Sequence, residues 1–430
     1  MEQNQNLDFI KEQVKERPIN RKKLMRRTIL TASMAVIFGL IACLTFLLLE
    51  PVISNMLYPE EEVVKVQLKS ESEVEEMRPE DMLLEEQEAV PTINQEITQT
   101  VVEKVPLEVT DYQSLYRKIY AKSQEVSIKS MVTVTGVTSD VDWFDNIYEN
   151  NGQSAGLLVA ENGREFLILV DSSKIADADH LRVTFSDNTQ AEAQMKIVDE
   201  ETGLAVVSVK LTDIPASTET ILDSAVLGNS GSSLLAAPVV ALGRPLGTAN
   251  SVIYGMVTST DSFSNLEDYN IRILTTDIAA AANSSGVLIS LSGQVVGILQ
   301  PARMKADANK AMLTAYSASD LRSILEKLIN GEEIAHIGIL GTDVPREIHE
   351  ELGVPMGAFV TAISMDSPAM AAGIQSGDVI VRIGTAEIVS YTEYQRTLQA
   401  LKPETSTTVT VMRQGPEQYE EMTLDIIIGR

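Results

Sequence analysis

The chain has 430 residues, 34 Lys and Arg against 61 Asp and Glu, and a formal net charge of −27. That length allows about two or three domains, and so acidic a chain has little with which to neutralise phosphates, so no nucleic-acid partner is expected. A single cysteine, Cys43, excludes an intrachain disulfide and thiolate metal sites, and three histidines (His180, His336, His349) restrict the general bases available. No metal and no cofactor is expected.

A basic cluster opens the chain: Arg17, Arg21, Lys22, Lys23, Arg26 and Arg27. The uncharged run 28–49 follows, long enough as a helix to cross a hydrocarbon core of about 30 Å. Glu50-Pro51 comes next where a cleaved signal peptide would have small residues. The pattern predicts a cytoplasmic basic tail (1–27) and a transmembrane signal anchor (28–49), oriented by the positive-inside rule. The protein is then single-pass in the cell membrane, with its C-terminal domains extracytoplasmic. Residues 50–111, rich in Glu, Pro and Gln, bury too little apolar surface to offset chain entropy and read as an acidic, disordered linker. A short helix over 63–84 is the competing expectation for part of it.

From residue 112 a folded region begins. A helix is expected over 112–127, with Tyr112, Leu115, Tyr116 and Ile119 on one face. Short apolar or alternating runs at 131–137, 154–160, 166–170, 181–185, 191–198, 204–211, 238–242, 251–259, 271–275 and 295–299 read as strands between Gly-, Asn- and Asp-rich turns. Residues 319–329 form a helix ending at Asn330-Gly331. Many short strands in one region of this size (112–330) predict a mainly β fold, a barrel or double barrel. Residues 331–430 differ in kind: strands at 357–360, 378–383, 406–413 and 422–428, a Ser-capped, Pro-started helix at 367–374, and a helix at 390–401. This predicts a separate α+β module.

Within the first region, Thr276-Asp277-Ile278-Ala279-Ala280-Ala281-Ala282-Asn283-Ser284-Ser285-Gly286 is a small-residue loop between apolar runs. Such a loop lets backbone N–H groups gather round one side-chain oxygen, as acyl transfer requires. Taken alone it reads first as a polar turn between two strands, and only the rest of the chain can make it a nucleophile site.

Together the two regions resemble the HtrA family. The motifs are Val183-Thr184-Phe185-Ser186-Asp187, Ala241-Leu242-Gly243-Arg244-Pro245-Leu246-Gly247, Thr276-Asp277 before the serine loop, and Gly357-Ala358-Phe359-Val360 with Ser367-Pro368-Ala369 and Gly373-Ile374-Gln375-Ser376-Gly377-Asp378. The resemblance covers about residues 126–430. It implies a chymotrypsin-like double β-barrel followed by an α+β PDZ domain. A triad needs a base, an acid to orient it, and oxyanion donors. The position matching the family's histidine is Ser173, and the one matching its aspartate is Gly203; Ser284 alone remains. Ala282 stands where the family has glycine, and its Cβ resists the backbone geometry an oxyanion hole often demands. As replacement bases, His180 reads as a turn residue facing solvent, and Lys174 as a side chain reaching water.

By resemblance, the PDZ loop His336-Ile337-Gly338-Ile339 would hold a peptide's terminal carboxylate, and Ile337 and Ile339 would line a pocket for its last side chain. Tyr391, Tyr394 and Leu398 would contribute from the facing helix. Two readings result. One is a membrane-anchored pseudoprotease that binds peptide C-termini or unfolded envelope proteins and serves protein quality control. The other is an active HtrA-like serine endopeptidase using Ser284 with a non-standard base. A homotrimer, and association with an active paralogue, are the assemblies the resemblance leaves open.

Overall fold

The computed structural model describes residues 65–69, 109–141, 147–176, 178–281, 283–299 and 312–430, together with Met34. The expected basic tail and nearly all of the expected anchor 28–49 lie outside the described residues. Among the described residues no helix is long and apolar enough to cross a membrane.

Helix α1 (Val109–Ser130) leads into twelve strands: β1 (Met131–Val141), β2 (Ile147–Glu161), β3 (Glu165–Asp171), β4 (His180–Thr184), β5 (Gln190–Asp199), β6 (Leu204–Lys210), β7 (Pro238–Arg244), β8 (Ser251–Leu266), β9 (Tyr269–Ala279), β10 (Ser285–Ser290), β11 (Val295–Leu299) and β12 (Met312–Ser317). They close into two six-stranded barrels, in the orders β1-β2-β3-β6-β5-β4 and β10-β11-β12-β9-β8-β7. The double barrel agrees with the expectation from strand number and turn spacing.

Why the barrels stack is visible in the strands that lack polar alternation. Phe166, Ile168 and Val170 of β3 point into the first barrel with Ala205, Val207 and Val209 of β6. The alternate residues Leu167, Leu169, Leu204 and Val206 enter a second apolar layer, which they share with Val240, Leu242, Val287 and Ile289 of the other barrel. Both faces of these strands are therefore buried, which is why they read as continuous apolar runs. Each such side chain contributes about 1.5–3 kcal/mol by leaving water. A one-residue slip would exchange the two layers, so the register is strongly specified.

Helix α2 (Ala318–Ile329) seals that shared layer with Leu321, Ile324, Leu325 and Leu328. Ser317 caps it, its hydroxyl accepting from the Asp320 N–H, and Asn330-Gly331 ends it in the expected place. Of the apolar face expected on α1, only Ile119 is buried; Tyr112, Leu115 and Tyr116 are exposed. The face is real in sequence, but the barrel meets the helix along Ile119, Ser123 and Ser130.

Part of the expected acidic linker is docked. Leu68 is buried in the shared layer, and Val66 exchanges hydrogen bonds with the Asn330 side chain (2.9 and 3.0 Å). Lys65 pairs with Glu332 and Lys69 with Asp223. Acidic composition around them hid these two apolar residues. Residues 65–69 are not helical, so the competing expectation of a helix over 63–84 fails there.

The C-terminal module is a sheet in the order β13-β14-β15-β17-β18, with β16 pairing β15. Its strands are β13 (Ile339–Asp343), β14 (Ala358–Ile363), β15 (Val379–Ile383), β16 (Ala386–Glu387), β17 (Ser406–Gln414) and β18 (Tyr419–Ile427). Helices α3 (Arg346–Leu352), α4 (Pro368–Ala372) and α5 (Tyr391–Gln399) complete it. Ser367 and Ser390 cap α4 and α5 by accepting from Met370 and Glu393 N–H groups, and left-handed Gly373 ends α4. Ile337, Ile339, Val360, Ile380, Tyr394, Leu398 and Val411 form its own apolar core.

Candidate functional site

Two places carry the residues singled out in the sequence. The first is the seam between the barrels. Residues near the expected triad positions, though not those positions themselves, line a cavity there. Asp171 at the end of β3, Leu204 at the start of β6, and Gly286 and Val287 of β10 line one small cavity. It measures about 10 Å³, room for one water at most.

Ser284 lies at the edge of this seam, fully buried, and its polar groups are engaged by the loop itself. Its Oγ accepts from the Ala281 N–H (3.0 Å), with the carbonyls of Pro245 (2.6 Å) and Ala281 (2.7 Å) in reach of its proton. The Ser284 N–H, one of the donors an oxyanion hole would draw on, donates to the Ala281 carbonyl at 3.1 Å. Arg244 holds the Pro245 loop in place through Gln153 and the Gly247 carbonyl. The next hydroxyl, on Ser285, is buried and accepts from the Ala155 N–H at 3.0 Å. Ala282 lies outside the described residues.

Ser173 and Gly203, the positions expected from the resemblance to match a histidine and an aspartate, are stitched by short polar contacts. Ser173 is exposed, and both its N–H (2.9 Å) and Oγ (2.7 Å) donate to Asp171 Oδ1. Gly203 has φ of +71°, and its carbonyl accepts from the N–H and the hydroxyl of Ser172, each at 2.9 Å. His180 is exposed at the start of β4, as expected. Neither His180 nor Lys174 is a hydrogen-bond partner of Ser284. Among the described residues the Ser284 hydroxyl has only backbone partners, and its own donors are committed.

The second place is the PDZ loop, and here the structure adds a residue the sequence did not flag. Left-handed Gly338 (φ +83°) lets successive N–H groups turn toward one point. At that point sits the carboxylate of Asp268, from the two-residue turn between β8 and β9 of the second barrel. The N–H groups of Ile337 and Gly338 donate to its Oδ2, each at 2.8 Å, and that of Ile339 to its Oδ1 at 3.2 Å. Tyr394 donates its hydroxyl to Oδ1, and His336 Nδ1 lies 2.8 Å from Oδ2. Asp268 is 1% exposed and takes a left-handed backbone conformation, φ +61°. Its N–H donates to the Ile339 carbonyl (2.8 Å), and the Asn270 side chain donates to the Gly341 carbonyl (3.0 Å).

The hydrogen bond that His336 donates to Asp268 raises the His336 pKa, against the lowering effect of burial. Burial drives the Tyr269, Tyr391 and Tyr394 hydroxyls far above their ordinary range, so they stay neutral, and Tyr394 donates to Asp268 and Tyr391 to the Ile339 carbonyl. Ile337, Ile339, Tyr394 and Leu398 are fully buried core side chains rather than walls of an open pocket, and Tyr391 is buried with its ring against Gly341. Beyond the loop, the groove between β13 and α5 widens into a cleft of about 820 Å³. Thr342, Tyr391 and Gln395 line one side, and Arg272, Asp320 and Arg322 of the barrel domain the other. No sequence pattern ties residue 268 to residues 336–339; an Asp in a two-residue turn is an ordinary hairpin feature.

Residues 154–298 match the trypsin-like peptidase domain family, and residues 335–424 match the PDZ domain family. A probable periplasmic serine endoprotease DegP-like of Pseudomonas fulva is 27% identical over 286 residues, covering 65% of this chain and 56% of its own length. The serine protease Do-like HtrA of Lactococcus lactis is 26% identical over 353 residues, 77% of this chain and 83% of that protein. The chain therefore spans little more than half the length of its DegP-like relatives. Among solved structures, the HtrA-type protease AlgW with decapeptide superposes with a TM-score of 0.52 at 21% identity, over 72% of this chain and 98% of that one. At that identity the likeness is one of fold. In domain order and fold, the chain is similar to HtrA-type proteases, with a region matching a trypsin-like peptidase domain followed by one matching a PDZ domain.

Proposed function

We propose that this chain is an HtrA-like pseudoprotease that works by binding peptide C-termini through its PDZ domain. One observation carries the reading: both sets of donors are engaged within the chain, but by different acceptors, backbone carbonyls at Ser284 and a carboxylate, that of Asp268, at the PDZ loop. At Ser284 the hydroxyl and N–H are closed on the loop's own backbone. At Ile337–Ile339 three N–H groups are aimed at a single carboxylate. Without a base the serine hydroxyl is a weak nucleophile, whereas convergent backbone donors are what a PDZ domain uses to hold a carboxylate.

The setting is also a proposal: 28–49 anchors the chain, 1–27 stays cytoplasmic, 50–111 acts as a spacer, and the barrel (112–330) and PDZ domain (331–430) face the cell envelope. The relatives named as periplasmic endoproteases support that placement and a role in envelope protein quality control. The solved neighbour with a bound decapeptide supports peptide as the ligand class. Labelled nonapeptides ending in Val, Leu, Ile or Phe are expected to bind the full chain as free acids and not as C-terminal amides. Equal binding of the two forms would remove the reading.

A further inference from the structure

We propose that the Glu267-Asp268 turn of the barrel is a built-in ligand of the PDZ carboxylate loop, so that a peptide C-terminus binds only when this turn is displaced. The inference rests on the peptide-binding reading and names its regulation.

The turn imitates both halves of such a ligand. Its carboxylate takes the N–H donors of Ile337, Gly338 and Ile339 together. Its backbone takes the neighbouring edge: Asp268 N–H bonds the Ile339 carbonyl, and the Asn270 side chain bonds the Gly341 carbonyl. Those carbonyls lie on β13, the free edge to which an incoming peptide strand would add. Each N–H carries one proton, so Asp268 and a peptide carboxylate exclude each other. The turn is not a chance contact of a loose loop. Leu266 pairs with Tyr269 at its base, both packed in the shared core, and the Glu267 N–H donates to Glu201 at 3.3 Å. A tethered carboxylate held this way competes at an effective concentration of order millimolar. It lowers the apparent affinity for peptide by the fraction of time the loop is free. The cleft beyond the plug leaves room for a peptide's further upstream residues, so the turn blocks the terminal position and the β13 carbonyls beside it.

The test uses the full chain in detergent with fluorescein-labelled nonapeptides ending in Val, Leu, Ile or Phe, as free acids and as amides. Asp268→Asn removes the charge, keeps the size and tolerates the left-handed backbone. It should tighten free-acid binding about tenfold or more, since bonds to a charged acceptor are the strong ones. Tyr394→Phe, which removes one donor without loss of packing volume, should shift the balance less. Hydrogen exchange over 336–341 gives an independent readout: faster exchange in Asp268→Asn, suppressed again by free-acid peptide. Free-acid peptides that bind wild type and Asp268→Asn with equal affinity would overturn the plug while leaving the peptide-binding reading intact. Faster exchange in Asp268→Asn with no preference for free acid over amide would overturn both, leaving Asp268 as a tie between domains.

Discussion

Replacing Ser284 by alanine separates a structural serine from a nucleophile by the sign of its effect on stability. In the structure the hydroxyl is fully buried, bonds Pro245 and Ala281 carbonyls, and accepts from the Ala281 N–H. Ser284→Ala strands the Ala281 N–H and the buried Pro245 carbonyl, while the Ala281 carbonyl keeps the Ser284 N–H. Losing the partner of a buried polar group costs about 1–3 kcal/mol. For a folded unit of about 150–250 residues, each kcal/mol lowers the melting temperature by about 2–4 °C. A catalytic serine behaves oppositely, because active-site residues are held at some expense of stability and their removal is neutral or stabilising. Thermal and urea unfolding of the full chain, followed by circular dichroism with wild type alongside, reads the difference. A melting point lowered by several degrees agrees with the structure. An unchanged or higher melting point, together with loss of a measurable peptidase activity, would refute the reasoning.

Restoring the missing side chains should not restore catalysis: Ser173→His with Gly203→Asp is expected to fold, at about 1–2 kcal/mol for the left-handed backbone at 203, and to hydrolyse labelled casein no faster than wild type. Arg413→Ala should destabilise the PDZ domain by about 3–5 kcal/mol, because Asp378, 1% exposed, is held by Arg413 Nε and Nη2 at 2.7 Å each; a loss below about 1 kcal/mol in urea unfolding would mean the carboxylate finds water. Leu68→Ala should cost about 2–5 kcal/mol if the docked 65–69 segment belongs to the folded core, and almost nothing in a melting assay if it is loosely attached. The His336 pKa is raised above its ordinary 6.5 by Asp268, with Glu267 and Glu201 acting in the same direction. Its contribution is therefore fully present below about pH 6.5 and lost as pH rises through the folded value. The melting difference between wild type and His336→Gln should shrink over that window, and a difference that does not change with pH would count against the contact.

The fold was legible because its strands obey simple rules. Runs such as Leu167-Ile168-Leu169-Val170, apolar at every position, announce burial on both faces, and Ser367-Pro368 and Ser390 announce helix starts. β13 was hidden, since Gly341 within it weakens any strand pattern and is needed because a Cβ there would meet the Tyr391 ring at 2.5 Å. The assignment of Ser173 and Gly203 to the triad positions rests on motif order alone. The state of Ser284 was not legible, because it depends on the carbonyl of Pro245, 39 residues away. Asp268 was out of reach for the same reason. Its partners lie about 70 residues further on, and a hairpin-turn carboxylate carries no local mark of what it faces.

The central claim is that the barrel's serine site is closed and that the working site is the PDZ loop. It is tested most directly by exposing the full chain to a fluorophosphonate probe, with Ser284→Ala as control. The account predicts no labelling above the control. Stoichiometric labelling that disappears in Ser284→Ala would contradict it.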